Sequence, residues 1–213
     1  MKKIAAVIGD FYHHPESIHE SMGAALQQLD ERAAVSYVKV TELKDAIAKQ
    51  PDLIVLYAEN RIDPREEQSQ LWMTKELEAD IAQYVQNGGR WLAWHSGMAS
   101  FPLEGDYVKM LRGHFAYHPD QQTVKYTAAA EQSLIRKDTT FEFMDEHYFV
   151  ECDEANTQVF LRSESVDGSS IAGWHHDYGQ GRVYCLAPAH NCGGLLNRDF
   201  LHVLTQVFQG ILE

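Results

Sequence analysis

The chain has 213 residues, 45% of them apolar, and this size suffices to bury one substantial hydrophobic core without cross-links. The formal net charge of −13 disfavours nucleic acids and anionic membranes as partners, because their phosphates would be repelled. Three cysteines are too few, and odd in number, for a disulfide framework. The N-terminal apolar run is too short for a secretory leader, and no run approaches the roughly 18 apolar residues of a membrane span. We therefore expect a cytoplasmic protein.

The first hundred residues alternate between apolar runs typical of buried strands and segments with helical periodicity. Strands are predicted at 2–9, 34–40, 52–58 and 90–94, with helices at 15–29 and 42–49. A further helix is predicted to begin with Asp63 as its cap and Pro64 in its first turn, and to end at residues 87–89. This alternation indicates βαβ units and a parallel sheet.

Beyond residue 100 the pattern changes to short strands, predicted at 122–130, 157–164, 169–179 and 181–189. The sequence YGQGR predicts a hairpin turn between the last two strands. A final helix is predicted over 197–212, capped by Asn197. We predict a single α/β domain over 1–213: a three-layer sandwich with a mostly parallel sheet, helices on both faces and an added β-hairpin region.

Open parallel sheets bind ligands at the carboxyl ends of their strands. The loops after the first, third and fourth predicted strands are polar, with the sequences GDFYHHP, AENRIDP and HSGM. They bring His14, Glu59 and His95 to this edge as candidate site residues. We expect the functional pocket to lie there.

The chain has eleven histidines, a high number for its length. In RGHFAYHP, His114 and His118 are four residues apart, which on a helix would place two imidazoles on one face. They are the best candidate pair for a divalent metal such as zinc. However, Pro119 follows directly and no H-E-x-x-H motif is present, which favours imidazoles that form ordinary hydrogen bonds in a polar pocket.

The segment FMDEHYF places Asp145, Glu146 and Tyr148 between apolar residues. Adjacent acids on a strand face opposite sides, so at most one would enter a site. Glu146 is then an acid–base group or an acceptor for a sugar hydroxyl, and the alternative is a solvated turn. Aromatic residues near the predicted loops are candidates for a wall on which a sugar ring stacks, and about half of them are expected to pack in the core instead. They are Tyr12, Tyr57, Trp94, Phe115, Tyr148 and Trp174.

Several familiar catalytic motifs are absent from the sequence. The residues around Ser96 do not match the hydrolase elbow G-x-S-x-G. Phosphate-binding G-x-G-x-x-G and Walker loops are also missing, so no nucleotide cofactor is predicted.

The segment from Gly88 to Gly97 resembles the helix, strand and elbow of class I glutamine amidotransferase-like proteins, whose G-x-C-x-G elbow carries a cysteine. Here His95 replaces the cysteine, and His190 is followed two places later by Cys192 where that family has His-x-Glu. The resemblance implies the flavodoxin-like sandwich of that superfamily. Because nucleophile and acid are both missing, amidotransferase activity is not expected.

A closer resemblance is to the ThuA-like (trehalose utilisation) branch of that fold. Four features carry it: HHPESIHESMGAALQQL; WHSGMASFP with LRGHFAYHP; FMDEHYF; and IAGWHHDYGQGRVYCLAPAHN. His147 replaces the leucine of the family's D-E-L-Y, and Ala189-His190 stands where the family has G-H. The resemblance covers nearly the whole chain. It implies a role in disaccharide uptake and breakdown, including routes through 3-keto-sugars.

Our first hypothesis is an enzyme of sugar catabolism, a hydrolase, lyase or isomerase that acts on a disaccharide, glycoside or 3-keto-sugar. Proton transfer is assigned to His95, Glu146 and His190. Substrate contacts are assigned to His14, Glu59, His114, His118, Asp145, Tyr148 and Trp174.

Two alternatives stay open. One is a non-catalytic saccharide- or partner-binding protein on a degenerate amidotransferase fold, and the other is a metal-dependent hydrolase. No cofactor is predicted, with a divalent metal such as zinc as the alternative. The expected partner is a small saccharide, and a homodimer is expected from the frequency of symmetric oligomers.

Overall fold

The computed structural model describes residues 1–29, 32–130 and 134–213. Its strands are β1 (Lys2–Ile8), β2 (Ala33–Tyr37), β3 (Leu53–Tyr57), β4 (Arg90–Trp94), β5 (Gly113–Tyr117), β6 (Gln122–Ala128), β7 (Thr140–Asp145), β8 (Phe149–Cys152), β9 (Gln158–Ser165), β10 (Gly168–Tyr178) and β11 (Gly181–Leu186). Its helices are α1 (Pro15–Leu26), α2 (Leu43–Ala48), α3 (Lys75–Gln86), α4 (Asp106–Leu111), α5 (Cys192–Leu195) and α6 (Arg198–Leu212). Within these residues no helix has the length and apolarity needed to cross a membrane.

A nine-stranded sheet forms the centre of the described structure, in the order β2-β1-β3-β4-β11-β10-β9-β6-β7. The first five of these strands are parallel. Every residue of β3 is buried, because helices cover both faces of the sheet. The helices pack in two groups, α1 with α6 and α3 with α2 and α4. The predicted parallel α/β sheet with helices on both faces is therefore confirmed.

The other four strands of the sheet run antiparallel to their neighbours. The predicted hairpin joins β10 to β11 and closes where Tyr178 pairs with Gly181. A separate two-stranded sheet is formed by β5 and β8. The antiparallel region is thus more extensive than the added hairpin that the sequence predicts, and β11 belongs to both halves of the large sheet.

The helix predicted to begin at Asp63 instead begins at Lys75, with the Thr74 side chain as its N-cap. The Asp63 carboxylate accepts hydrogen bonds from the backbone and the guanidinium of Arg65, and so stabilises a turn instead of a helix. The chain then doubles back, since Arg61 pairs with Leu71 in an antiparallel bridge. This loop follows β3 at the carboxyl edge of the sheet.

His114 and His118 do not lie on a helix, where their spacing would place both imidazoles on one face. Arg112 ends α4 in the left-handed conformation, with a φ of 54°, and the chain continues as β5. Four residues along a strand span roughly 13 Å, so the two imidazoles cannot share one ion as neighbours on a helix would. They face different carboxylates, Glu151 at 3.9 Å and Glu146 at 3.6 Å.

The elbow after β4 depends on a glycine. A tight turn over residues His95–Met98 follows the strand, and His95 adopts a left-handed φ of 48°. A Cβ atom on Gly97 would lie only 2.1 Å from the backbone oxygen of Leu56 in β3. The elbow therefore reaches its position only because residue 97 has no side chain.

We expect Gly97→Ala to destabilise the protein by about 1–3 kcal/mol, because the methyl group must displace the backbone of β3. Gly23→Ala is the matched control: Gly23 lies within α1 with no atom within 4 Å of the added Cβ. It should stabilise the protein by roughly 0.5–1 kcal/mol. Urea unfolding at neutral pH measures both, and equal stabilities of the two variants would contradict the close approach.

A buried histidine in β10 makes stability pH-dependent. His176 donates from Nε2 to the Met110 carbonyl oxygen at 2.9 Å. Burial lowers the pKa of His176 to about 4, and the nearby Arg112 charge adds to this effect. An unfolded histidine takes up its proton near pH 6.5. Because the unfolded state then binds more protons, stability is lost as the pH falls from about 6.5 towards 4.

We expect His176→Gln to lose less stability than the wild type between pH 7 and pH 4.5. Urea midpoints at several pH values measure the difference. His202→Gln changes an exposed histidine of α6 and should follow the wild-type slope. If the urea midpoints of the wild type and His176→Gln change equally with pH, this histidine does not contribute to the pH dependence of stability.

Candidate functional site

The loops after β1, β3, β4 and β11 meet at one edge of the sheet, together with the residues that follow β7. They enclose a pocket of about 290 Å³. Its lining includes His13, Glu59, Arg61, Ser96, Ser100, His118, Glu146, Tyr148 and His190. The carboxyl ends of the parallel strands thus form a pocket lined by polar side chains, as the alternating sequence pattern predicts.

Four side chains at this edge point towards a common centre: His13, His95, Glu146 and His190. One ligand atom from each lies within 4.8 Å of all the others. His190 Nδ1 is 2.9 Å from His13 Nε2, 3.4 Å from His95 Nε2 and 3.2 Å from Glu146 Oε2. We call this group the His–Glu cluster.

The tautomers of two of these histidines follow from their outer partners. His13 Nδ1 lies 2.6 Å from the Asp10 carboxylate, and His95 Nδ1 lies 2.6 Å from the Ala187 carbonyl oxygen. Both partners only accept hydrogen bonds, so each Nδ1 carries the proton and each Nε2 presents a lone pair to the centre. His190 Nδ1 can carry one proton, which it can donate to only one of its three neighbours, His13 Nε2, His95 Nε2 or Glu146 Oε2. The remaining acceptors face one another without a donor, an arrangement that favours a bound cation.

The pKa values agree with this arrangement. Burial lowers the pKa of His95 well below its usual value, and the charges of His13 and His190 add to the shift. Burial raises the pKa of Asp10, but the hydrogen bond and charge of His13, together with the hydrogen bond from the Glu59 backbone, outweigh this effect and the net pKa is lowered. Burial lowers the pKa of His190, but the hydrogen bond and charge of Glu146 raise it above its ordinary value. At neutral pH His95 is therefore neutral, and Asp10, which lies outside the cluster as the partner of His13, is a carboxylate.

The spacing of the cluster suits a tetrahedral ion. Ligand atoms about 2.0–2.1 Å from such an ion lie roughly 3.3–3.4 Å from one another. The contacts around His190 Nδ1 span 2.9–3.4 Å, and His95 Nε2 is 3.8 Å from Glu146 Oε2. Imidazole nitrogens with one carboxylate oxygen are a donor set that zinc and similar divalent ions accept. The residues present therefore fit a divalent transition metal.

The position of His190 is fixed by its backbone. Its N–H donates to Asp145 Oδ1 at 2.8 Å, and Asp145 Oδ2 accepts from the Tyr126 hydroxyl at 2.7 Å. Two buried aromatic side chains hold the preceding residues: Trp94 donates to the Pro188 carbonyl oxygen and Tyr57 to that of Ala189. Burial raises the pKa of Asp145 to about 6. Asp145 thus lies behind the cluster and positions the His190 loop.

Another side of the pocket is lined by residues outside the His–Glu cluster, Glu59, Arg61 and Ser100. Glu59 is buried, and its Oε2 accepts from Arg61 Nε and from Ser100 Oγ, each at 2.8 Å. Ser100 adopts a left-handed φ of 67°, a strained conformation for a residue with a side chain. We call these three residues the polar wall.

The predicted site residues divide into those that reach the pocket and those that do not. The structure brings together His95, Glu146 and His190, and it places Glu59, His118 and Tyr148 in the pocket lining. His14 is exposed just before α1, outside the lining. Trp174 is buried in the core, where its indole N–H donates to Leu111. His114 lies on β5 near the exposed Glu151.

His13 belongs to the cluster but is not among the site residues predicted from the sequence, which include only the second histidine of the HH pair. Asp10, three residues before His13, is a usable signal, because a nearby carboxylate can orient an imidazole. Asp145 and Glu146 both serve the site, because β7 ends between them and the strand alternation no longer applies. Of the aromatic residues considered for stacking, half line the pocket and half are buried core residues, as expected.

Comparison with known proteins identifies the family. The ThuA family, described as trehalose utilisation, matches residues 7–209. The chain belongs to the ThuA family. Membership of this family implies a role in trehalose utilisation, and the resemblance of the sequence to ThuA-like proteins is confirmed. No curated protein matches the sequence.

Solved structures similar to this ThuA family member share its fold at low sequence identity. A ThuA-like protein from Parabacteroides merdae ATCC 43184 is 14% identical with a TM-score of 0.74, and the match covers 99% of this chain and 90% of that one. A cytoplasmic protein from Salmonella typhimurium LT2 is 16% identical with a TM-score of 0.65, covering 99% and 100%. A β-galactosidase from Rahnella sp. R3 is 15% identical with a TM-score of 0.62, covering 98% of this chain but 31% of the enzyme.

We expect the purified protein to bind about one equivalent of Zn²⁺ or a similar divalent ion, and His13→Asn to reduce the affinity by at least 10-fold, since one imidazole ligand is lost. His14→Asn is the matched control, because the adjacent histidine is exposed and outside the cluster. Metal analysis after dialysis and competition with a chelating dye measure both. Equal affinities of the two variants would contradict the assignment of the cluster.

Proposed function

We propose that this protein is a metal-dependent enzyme of saccharide breakdown, which acts on a 3-keto-disaccharide or related glycoside by acid–base chemistry. One observation carries the proposal. At the floor of the pocket, two imidazole lone pairs and a carboxylate oxygen converge on His190 Nδ1. The ThuA family match supports a saccharide as substrate.

The three imidazoles of the His–Glu cluster would hold the metal and leave the pocket side for substrate. Catalytic sites of this kind keep three protein ligands and one open position. When bound, the ion would polarise a carbonyl or hydroxyl oxygen of the sugar as a Lewis acid. His95 is fully buried and orients its Nε2 through the Ala187 carbonyl oxygen, so its assigned task is to bind the ion.

Glu146 is the group that would move the proton. Its Oε2 lies 3.2 Å from His190 Nδ1 and 3.6 Å from the Nε2 of His118, whose side chain is partly exposed. Burial raises the pKa of Glu146, but the hydrogen bond and charge of His190, with the charges of His118 and His13, lower it by more, so the net pKa is lowered. A bound ion would take the place of the His190 Nδ1 proton, and its positive charge would likewise keep the carboxylate ionised and able to accept a proton. His118 then connects Glu146 to solvent.

A keto group acidifies the neighbouring C–H bond, which makes proton abstraction the step that this site suits best. The C–H bond breaks, its electron pair moves towards the carbonyl oxygen, and the proton passes to the Glu146 carboxylate. Return of the proton to another position gives isomerisation, and departure of a group from the adjacent carbon gives elimination. No nucleophilic side chain is required, in agreement with the replacement of the elbow cysteine by His95.

We expect the zinc-loaded enzyme to exchange the C–H proton next to the keto group of 3-ketotrehalose in D₂O, with or without further turnover. Glu146→Gln should reduce the rate by about 10²-fold or more, because the general base is lost. His202→Gln, an exposed helical position, should retain the wild-type rate. ¹H NMR follows both exchange and products.

The competing hypothesis is a non-catalytic saccharide-binding protein. Saturable binding of 3-ketotrehalose by the zinc-loaded wild type, with neither proton exchange nor product, would reject the enzyme and support this hypothesis. Equal exchange rates for the wild type and Glu146→Gln would agree with an enzyme but would show that Glu146 is not its general base.

A further inference from the structure

The polar wall of Glu59, Arg61 and Ser100 has no task in the proton transfer described above, yet it is built into the same pocket. Glu59 is 3% exposed, and its Oε1 finds no hydrogen-bond donor among the described residues. A buried carboxylate oxygen without a donor is costly unless a ligand supplies one. Ser100 is held in a strained conformation that directs its hydroxyl to the other oxygen of Glu59.

The charges of the polar wall favour the binding of an uncharged ligand. The Arg61 guanidinium is compensated by Glu59 at 2.8 Å, so the pair together offers N–H donors and a carboxylate acceptor with no net charge. A sugar hydroxyl both donates and accepts, and adjacent hydroxyls match such a pair. An anionic ligand would instead be opposed by Glu59, Asp10 and Glu146, and by the net charge of −13.

The size of the pocket limits what can enter. Its volume of about 290 Å³ lies just below the ~300–1,000 Å³ typical of sites for drug-sized ligands. It accommodates one sugar ring together with its hydroxyl groups. Tyr12 and His118 line the pocket but are themselves more than a third exposed, so they form its mouth. A second ring would lie across this mouth.

Resting on the proposed function, we propose that Glu59, Arg61 and Ser100 form the recognition subsite for one terminal, uncharged sugar ring, and that Tyr12 contacts the next ring at the mouth. The subsite is connected to the His–Glu cluster through Asp10, whose Oδ2 accepts from the Glu59 backbone N–H and whose Oδ1 accepts from His13 Nδ1. The bound ring is therefore held at a fixed distance from the cluster.

Calorimetric titration of the zinc-loaded protein with glucose, trehalose and glucose 6-phosphate tests this subsite. Arg61→Met should weaken the binding of glucose and trehalose by about 10-fold or more, since charge-assisted hydrogen bonds are lost. Glu59→Gln should do the same. Arg136→Met is the matched control, because Arg136 pairs with Asp138 on the surface outside the pocket. It should bind as the wild type does.

The Tyr12→Ala variant distinguishes the binding of the first sugar ring from the binding of the second. It should weaken the binding of trehalose and leave that of glucose within twofold, because only the second ring lies at the mouth. Equal losses for both sugars would contradict this assignment. If glucose 6-phosphate binds more tightly than glucose, the proposal that the subsite takes an uncharged ligand is wrong.

The outcomes also separate this subsite from the proposed function. If the wild type binds none of the saccharides, the saccharide function itself fails. If the wild type binds trehalose and both Arg61→Met and Glu59→Gln bind it equally well, the subsite alone fails. Zinc content is measured in every variant, and loss of zinc from Arg61→Met would overturn the subsite, because the residue would then act through the cluster.

Discussion

The Asp10 carboxylate connects the two parts of the pocket. It accepts hydrogen bonds from the backbone N–H groups of Tyr12, His13 and Glu59, and from His13 Nδ1 at 2.6 Å. Four donors to one carboxylate offset the cost of placing its charge in a largely buried position. The loop after β1 is thereby tied to the loop after β3. The lone pair of His13 and the backbone of Glu59 are both positioned by this one group.

The six residues that follow β4 form an elbow whose strained backbone directs His95 towards the cluster. His95 and Ser100, at the two ends of this segment, both adopt left-handed backbone conformations, and Gly97 between them packs directly against β3. Such strain persists where surrounding contacts over-determine it, and it is common at functional sites. The elbow presents the His95 imidazole, whose Nδ1 donates to the Ala187 carbonyl oxygen, so its Nε2 is free to bind a ligand.

The sequence predicts the edge of the sheet at which the pocket lies, because alternating strands and helices require a parallel sheet and polar loops follow three of its strands. It also predicts three of the four cluster residues. Local rules failed where a side chain had a nearer partner: Asp63 satisfies the pattern of a helix cap, but its carboxylate binds Arg65. The contact between His13 and His190 joins positions 177 residues apart, and no local pattern encodes it. The spacing of His114 and His118 was misleading because it is informative only on a helix.

The position of β11 has a consequence for how the chain reaches its folded state. This strand lies between β4 and β10, so the parallel half of the sheet gains its fifth strand only after synthesis has passed Leu186, far downstream of β4. The residues that complete the cluster follow directly after it. During synthesis, the N-terminal half therefore emerges with an unpaired strand edge at β4, and contacts of such long sequence separation form slowly. Chemistry at this pocket consequently requires a chain that extends past His190, and no nascent fragment that ends before β11 possesses it.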